Sequence, residues 1–469
     1  MFTQLYAQNF KSWRELPQVD LKPITGVFGS NSSGKTSLLQ LLLLMKQTAE
    51  SPDRQQPLQF GDERSHIDLG SFRDVVTGHD TSEALTIGFS WRPHRPLQVT
   101  DPATPGETLF TATELSFETN IKANARGATW VQEFKYLADE NSVRMTRSTT
   151  RQGRKDPEYQ LVATINGKQD YLRRSGGRPW PLPAPIKSYG FPDEAVAYFQ
   201  NSGFVSDLEL ALDRQFTDNV YYLGPLRGYP SRQYQWQGTR PQGVGAAGER
   251  AIEVLLASRE EGRRNARAFN ARGHALRRIT VEEHVAQWLK QLGLISSFLL
   301  ERLSEHANFY RVLVQKTPNS TPVALTDVGF GVSQILPVLV LLAWVPTGST
   351  VILEQPEIHL HPAVQSGLAD IITETATVRG VQVIVESHSE HLLRRLQLRV
   401  AEKTADPDDI ALYFCNSSSS DGYSKIAGLG LNTFGEIDNW PADFFGDPLG
   451  ETAAITRAAL LQRISKQAG

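Results

Sequence analysis

The chain has 469 residues, 40% hydrophobic and 21% charged, with a formal net charge of −3. That length suggests two or three structural units, and the near-neutral charge argues against wholesale non-specific nucleic-acid binding while leaving local basic patches open. A single cysteine, Cys415, rules out an internal disulfide framework and fits a reducing compartment.

Residues 2–10 and 23–28 read as strands. The opening MFTQLYAQNFKSW lacks the basic and then apolar regions of a secretory signal, so a cytoplasmic protein is expected. The second strand feeds GSNSSGKT, and a leucine-rich helix runs from Leu38 to Met45. Between about 84 and 172, the stretches ALTIGFSW, TELSFETNI, TWVQEFKYL and YQLVATI are broken by Gly, Asn and Pro, which suggests an antiparallel meander. The basic segment from Arg144 to Glu158 reads as a hairpin tip or mobile loop, and GGRPWPLPAP from Gly176 as a rigid connector. Residues 193–215 read as helical and NVYYLGPLR, from Asn219, as a strand. From 246 to 303 the pattern is mainly helical and rich in arginine.

NFYRVLVQK and TPVALTD then read as strands leading to the helix of GFGVSQILPVLVLLAW. In VILEQPEIHLHP, starting at Val351, an apolar strand ends on Glu354. A helix over 362–377, the strand VQVIVES and a helix from Glu390 follow. This alternation supports a parallel sheet. The apolar runs at Leu38 and Ile335 are too short to span a bilayer, so no membrane contact is expected. The expected layout is an α/β core with its N-terminal part in 1–90 and its C-terminal part in 305–469. Between them lie an insertion over 91–215, meander then helical, and a strand-plus-helical, arginine-rich segment over 216–304.

Gly29 to Thr36 fits the P-loop pattern G-x-x-x-x-G-K-[ST]. That spacing lets backbone N–H groups wrap a phosphate chain at a helix N-terminus, while Lys35 reaches the outer phosphates and Thr36 offers its hydroxyl to Mg²⁺. Glu354, at the carboxyl end of a buried strand, stands where ligands bind in open α/β sheets. At Asp327 to Gln334 a glycine-rich turn opens an apolar helix, so Ser333 and its neighbours form either a second anion site or a plain helix cap. His388, just beyond a strand, is placed to meet a terminal phosphate or to cap the next helix. His359 and His361 have metal-ligand spacing, but no Cys or further His completes a tetrahedron, and His361-Pro362 reads as a helix entry.

Together QNFKSW, GSNSSGKT, YLGPLR, DVGFGVSQILP, LEQPEIHLHP, ESHSEHLL and DNWPADFF resemble the ABC-type ATPase head of the SMC/RecF/OLD superfamily. They are most similar to its compact stand-alone bacterial members, the "AAA family ATPases". The insertion from about 91 to 215 carries no such motif. The resemblance implies ATP held by Gly29, Asn31, Ser33, Gly34, Lys35, Thr36 and Ser37, with Lys11 near the phosphates. It further implies Mg²⁺ on Thr36 and Glu354, His388 as the switch histidine, and Gly331, Ser333 and Gln334 as a signature element completing the site of the opposite subunit.

Two departures matter. The signature is not Leu-Ser-Gly-Gly-Gln, and Glu354-Gln355 stands where most members carry Asp-Glu. Gln355 can position water but cannot take its proton, and a lost general base is worth about 10²–10⁴-fold in rate. Either hydrolysis is slow and the ATP-bound state long-lived, or Glu357 serves as base; slow but real hydrolysis is expected. The implied biology is a homodimer, or higher even-numbered oligomer, acting as sensor and scaffold for a separate nuclease or toxin effector in anti-phage defence. Two alternatives stand beside it. One is a DNA-repair or DNA-maintenance ATPase binding DNA through the stretches from Arg144 to Lys155 and from Arg263 to Arg278. The other is a pseudo-ATPase platform.

Overall fold

The computed structural model describes residues 1–441 and 454–459, apart from 103, 105, 149–157, 177–179, 270–274, 305–307 and 418–421. The chain opens with β1 (Phe2–Phe10), β2 (Trp13–Asp20), β3 (Ile24–Gly29) and helix α1 (Lys35–Glu50). Strands β4 (Leu85–Trp91), β5 (Leu115–Ala123), β6 (Thr129–Ala138), β7 (Asn141–Arg147) and β8 (Tyr159–Thr164) follow, then helix α2 (Val205–Thr217) and the short strand β9 (Val220–Leu223). Helices α3 (Ala251–Glu260), α4 (Val281–Gln291) and α5 (Phe330–Trp344) lead to β10 (Thr350–Glu354) and helix α6 (Pro362–Arg379). The remainder is β11 (Gln382–Glu386), helix α7 (Glu390–Ala401), β12 (Ile410–Ser417) and β13 (Ser424–Leu429).

Two large sheets result. Seven antiparallel strands, ordered β8-β7-β6-β5-β4-β1-β2, form the expected meander joined to the N-terminal hairpin. Six strands, ordered β9-β10-β11-β3-β12-β13, form a mixed sheet that is parallel from β9 to β12 and antiparallel at β13. Every residue of β10 and β11 is buried, because both faces of that sheet are covered. The strand period of two divides its side chains between two cores. Val27, Ile352 and Ile384 pack with α1 and the seven-stranded sheet, while Val351, Leu353, Val383 and Val385 pack with α3 to α7. Helix α1, wedged against both sheets, buries leucines around its whole circumference. The carboxyl ends of β10, β11 and β3 lie side by side, with Glu354 paired to Glu386 and Glu386 to Val27.

Several elements differ from the sequence expectation. Strand β2 lies in a polar stretch carrying Pro17, which a ladder tolerates because β2 is the sheet edge. Of the segment from Arg144 to Glu158, read as a hairpin tip or mobile loop, residues 144–147 belong to strand β7, which pairs antiparallel with β8, and 149–157 lie outside the described residues. The arginine-rich part of 246–303 is not mainly helical: strands Arg264–Phe269 and Ala275–Thr280 pair as a hairpin, and residues 270–274 at its tip are outside the described residues. A further strand at Ser297–Arg302 pairs with Phe309–Gln315, the strand expected at NFYRVLVQK. Strands β12 and β13 were not foreseen, although β12 flanks β3. Of the closing DNWPADFF, residues 442–445 are outside the described residues. Among the described residues, no helix is long and apolar enough to cross a membrane.

Candidate nucleotide-binding site

The loop between β3 and α1 is shaped by its glycines. Gly29 has φ +142, and a Cβ there would lie 2.0 Å from the Cys415 carbonyl oxygen of the neighbouring β12. Gly34 has φ +91, with the Ser424 and Ser12 hydroxyl oxygens 2.4 and 2.9 Å from where its Cβ would stand. Neither position accepts a side chain without displacing backbone or neighbours. The Trp13 indole N–H donates to the Gly34 carbonyl (3.1 Å), and the Ser12 and Ser424 hydroxyls share a 2.7 Å hydrogen bond. The β1–β2 turn and β13 thus brace the loop from outside.

Lys35 Nζ donates to the Ser30 carbonyl at 2.6 Å, curling back over the loop. Burial holds its pKa below the ordinary lysine value against the pull of Glu386, Cys415 and Glu357. A cavity of about 210 Å³ opens above, lined by Ser12, Asn31 to Ser37, Gln355, Glu386 and His388. Thr36 Oγ1 donates to Glu386 Oε1 at 3.0 Å.

Two acids close adjacent strands at this edge. Glu354 is buried and pushed up to about 7, first by burial and then by the charge of Glu386, with Tyr222 hydrogen-bonding it and Lys11 opposing the rise. Glu386 is likewise raised by burial, against hydrogen bonds from Thr36 and Gln355 and the charge of Lys35. Glu354 Oε1 and Glu386 Oε2 are buried without a partner. Buried carboxylate oxygens left unpaired are costly. Glu386 and the Thr36 hydroxyl are the hard oxygen donors that Mg²⁺ takes beside phosphate; Glu354, paired with Glu386 on the adjoining strand, does not itself line the cavity. The donor set fits that ion.

Glu386 escaped the sequence reading, which took only His388 from ESHSEHLL. Its signal is the same as that of Glu354: an acid closing a run of apolar strand residues, VIL before Glu354 and VIV before Glu386. Lys11 does not line the cavity; its ammonium donates to Gln40 Oε1 at 2.6 Å and feels Glu354. Gln355 does line it, in the left-handed region at φ 43, its N–H bonded to the Glu386 carbonyl at 2.9 Å. His388 lines it too, its pKa lowered by burial and by Lys35. Glu357 is absent from the lining, and its Oε1 accepts the His388 N–H at 2.7 Å.

The signature residues sit elsewhere. Ser333, on the first turn of α5, donates to the Phe330 carbonyl at 2.8 Å and lines a separate cavity of about 300 Å³ with Tyr229, Glu249 and Pro337. Gln334 is buried with its Nε2 unpartnered, and Gly331 lies against the His359 carbonyl. No P-loop residue lines that second cavity. His361 caps α6, its Nδ1 accepting the Ala363 N–H, as the His-Pro pair suggests. No cluster of three or more metal-ligating His, Cys, Asp or Glu occurs among the described residues.

Residues 248–394, which hold Gly331 to Gln334, Glu354 to Glu357 and both Glu386 and His388, match the family model described as "AAA domain, putative AbiEii toxin, Type IV TA system". That match is to an AAA domain, in agreement with the motifs read in this stretch. The P-loop lies N-terminal to the matched stretch, and residues 406–455 match a second model, "Protein of unknown function (DUF3696)". Among solved structures, the chain is similar to an SMC head bound to the C-terminal winged-helix domain of ScpA, at 11% identity and TM-score 0.43, covering 92% of this chain and 98% of that one. It is similar to the SMC head domain from Thermotoga maritima at 12% identity and TM-score 0.39, covering 92% and 99%. An Smc head with an extended coiled coil, bound to the C-terminal domain of ScpA derived from Pyrococcus furiosus, gives 11% identity and TM-score 0.43, covering 92% and 96%. No curated protein matches the sequence.

Proposed function

We propose that this chain is a Mg²⁺-dependent ATPase that closes head-to-tail with a second copy around ATP, hydrolyses it slowly, and uses the ATP-bound state to hold or release a separate effector. The observation that carries the chemistry is the Thr36–Glu386 hydrogen bond on the floor of the P-loop cavity, beside the two unpartnered oxygens of Glu354 and Glu386. Thr36, Glu354 and Glu386 would hold the metal, which when bound neutralises the carboxylates and the charge of the terminal phosphate. Lys35 and the loop N–H groups bind the phosphate chain, and His388 meets its end. Gln355 orients water without taking its proton, so turnover is slow. Ser333 lies outside the cavity of its own chain, which agrees with its serving the partner's nucleotide.

The description of the matched family names a toxin of a toxin–antitoxin system. That setting supports defence, with this chain as sensor and a nuclease or toxin as effector. The DNA-binding alternative loses weight at Arg263, whose guanidinium stacks over Trp344 at 5.5 Å.

The test compares wild type with Lys35→Ala for nucleotide binding and phosphate release. Wild type is expected to bind ATP only with Mg²⁺ and to release phosphate slowly, and Lys35→Ala to do neither. Binding without any release would make the chain an ATP-locked platform; equal binding by both proteins would end the proposal.

A further inference from the structure

We infer that Glu357 and Arg227 form a positioning clamp behind the nucleotide site, and that Glu357 is not the base of the reaction. The inference rests on the ATPase reading above. Glu357 lies on the turn after β10 and is buried. Its Oε1 accepts the backbone N–H of His388 at 2.7 Å, and Ser387 adds a hydrogen bond. The carboxylate therefore grips the segment carrying His388 and is not among the side chains that line the cavity where water and phosphate would meet. A base must reach the proton it abstracts, directly or through one water.

Arg227 supplies the other half. It follows β9 in chain order and is only 7% exposed. Its Nη2 donates to the carbonyls of Glu354 and Gln355, each at 3.3 Å. Those two carbonyls flank the point where Gln355 takes its left-handed conformation, which ordinary side chains adopt only under constraint. Arg227 Nε and Nη1 and Glu357 Oε2 have no hydrogen-bond partner, and each side chain feels the opposite charge of the other. Removing either charge leaves the other in the interior without the opposite charge it feels. Arg227 fixes the turn that presents Gln355, and Glu357 fixes the turn that presents His388. Both presented side chains line the cavity beside Lys35.

The clamp asks Glu357 for an acceptor and a charge, not for proton uptake, and this separates it from a base. The test measures kcat, nucleotide affinity and amide hydrogen exchange over residues 387–389. The proteins are wild type, Glu357→Gln, Glu357→Ala, Arg227→Ala and the double alanine variant. We expect Glu357→Ala and Arg227→Ala each to lower kcat about tenfold or more with nucleotide affinity within about threefold. Glu357→Gln, which keeps the acceptor, should stay within about fivefold of wild type, and the double variant should be no worse than the worse single one. The 387–389 amides should exchange faster in Glu357→Ala and not in Glu357→Gln, a readout that needs no nucleotide. Loss of about 10²–10⁴-fold in Glu357→Gln would restore Glu357 as base and overturn the clamp; additive losses with unchanged exchange would also overturn it. A wild type that binds no ATP would instead sink the parent reading, and the exchange data would still decide the clamp.

Discussion

Thr36 and Glu386, 350 residues apart in sequence, meet in a 3.0 Å hydrogen bond beneath the P-loop. Glu386 rather than Glu354 is thus the acid in direct contact with the loop, and Glu354 stands beside it on the adjoining strand. Glu386→Gln keeps an acceptor for the Thr36 hydroxyl but removes one charge facing the metal. We expect ATP turnover to fall about 10²-fold or more, since metal-borne charge stabilisation is worth several kcal/mol. A variant turning over within threefold of wild type would remove Glu386 from the site.

Glu354 should make the nucleotide-free protein pH-sensitive. Its folded-state pKa, raised from 4.5 to about 7, means that the folded chain binds this proton more tightly than the unfolded chain does. The associated stability is complete below about pH 4.5 and is lost as pH rises through 7, amounting to on the order of 3 kcal/mol. Glu354→Gln removes that loss. The variant should melt with wild type at pH 5 and roughly 2–4 °C above it at pH 8 without nucleotide, while losing Mg²⁺-dependent turnover. Melting curves that keep a constant offset across this range would show that the buried acid carries no such strain.

The P-loop was legible because its whole specification is local. Eight consecutive residues set both the turn and the start of α1, and Gly29 and Gly34 adopt the positive φ values that the pattern requires. Glu354 and Glu386 carry the same local sign, an acid at a strand end, but their pairing depends on sheet order, and nothing in the chain states that β10 lies beside β11. The braces were hidden for the same reason: Ser12 and Ser424 are separated by 412 positions and meet only because β13 returns past the N-terminal turn. Strand β2 was obscured by Pro17 and alternating polar residues, which are what an edge strand tolerates. The hairpin at 264–280 defeated a periodicity reading because its strands, RNARAF and ALRRIT, carry no sustained apolar alternation.

Gln355 offers a gain-of-function test. Its side chain lines the cavity and hydrogen-bonds Glu386, so a carboxylate placed there would sit where an attacking water's proton must go. Gln355→Glu should raise phosphate release at least tenfold, part of the roughly 10²–10⁴-fold that a positioned base supplies. It should also lower nucleotide-free stability, because a third acid joins Glu354 and Glu386 in a buried site. Unchanged or slower release, with ATP binding intact, would mean that the missing base does not limit this chain.

The last prediction concerns the second copy. Ser333 opens α5 in a cavity that no P-loop residue lines, and beside it Phe330 and Tyr229 are 42% and 83% exposed with ring centroids 5.9 Å apart. An exposed aromatic pair next to a helix N-terminus suits a surface that is covered during part of a cycle. Ser333→Arg puts a long cation into that surface without touching the phosphate loop. ATP affinity should stay within about threefold of wild type, ATP-dependent self-association followed by sedimentation should disappear, and turnover should fall at least tenfold. A Ser333→Arg protein that hydrolyses ATP normally as a monomer would show that each chain completes its own site.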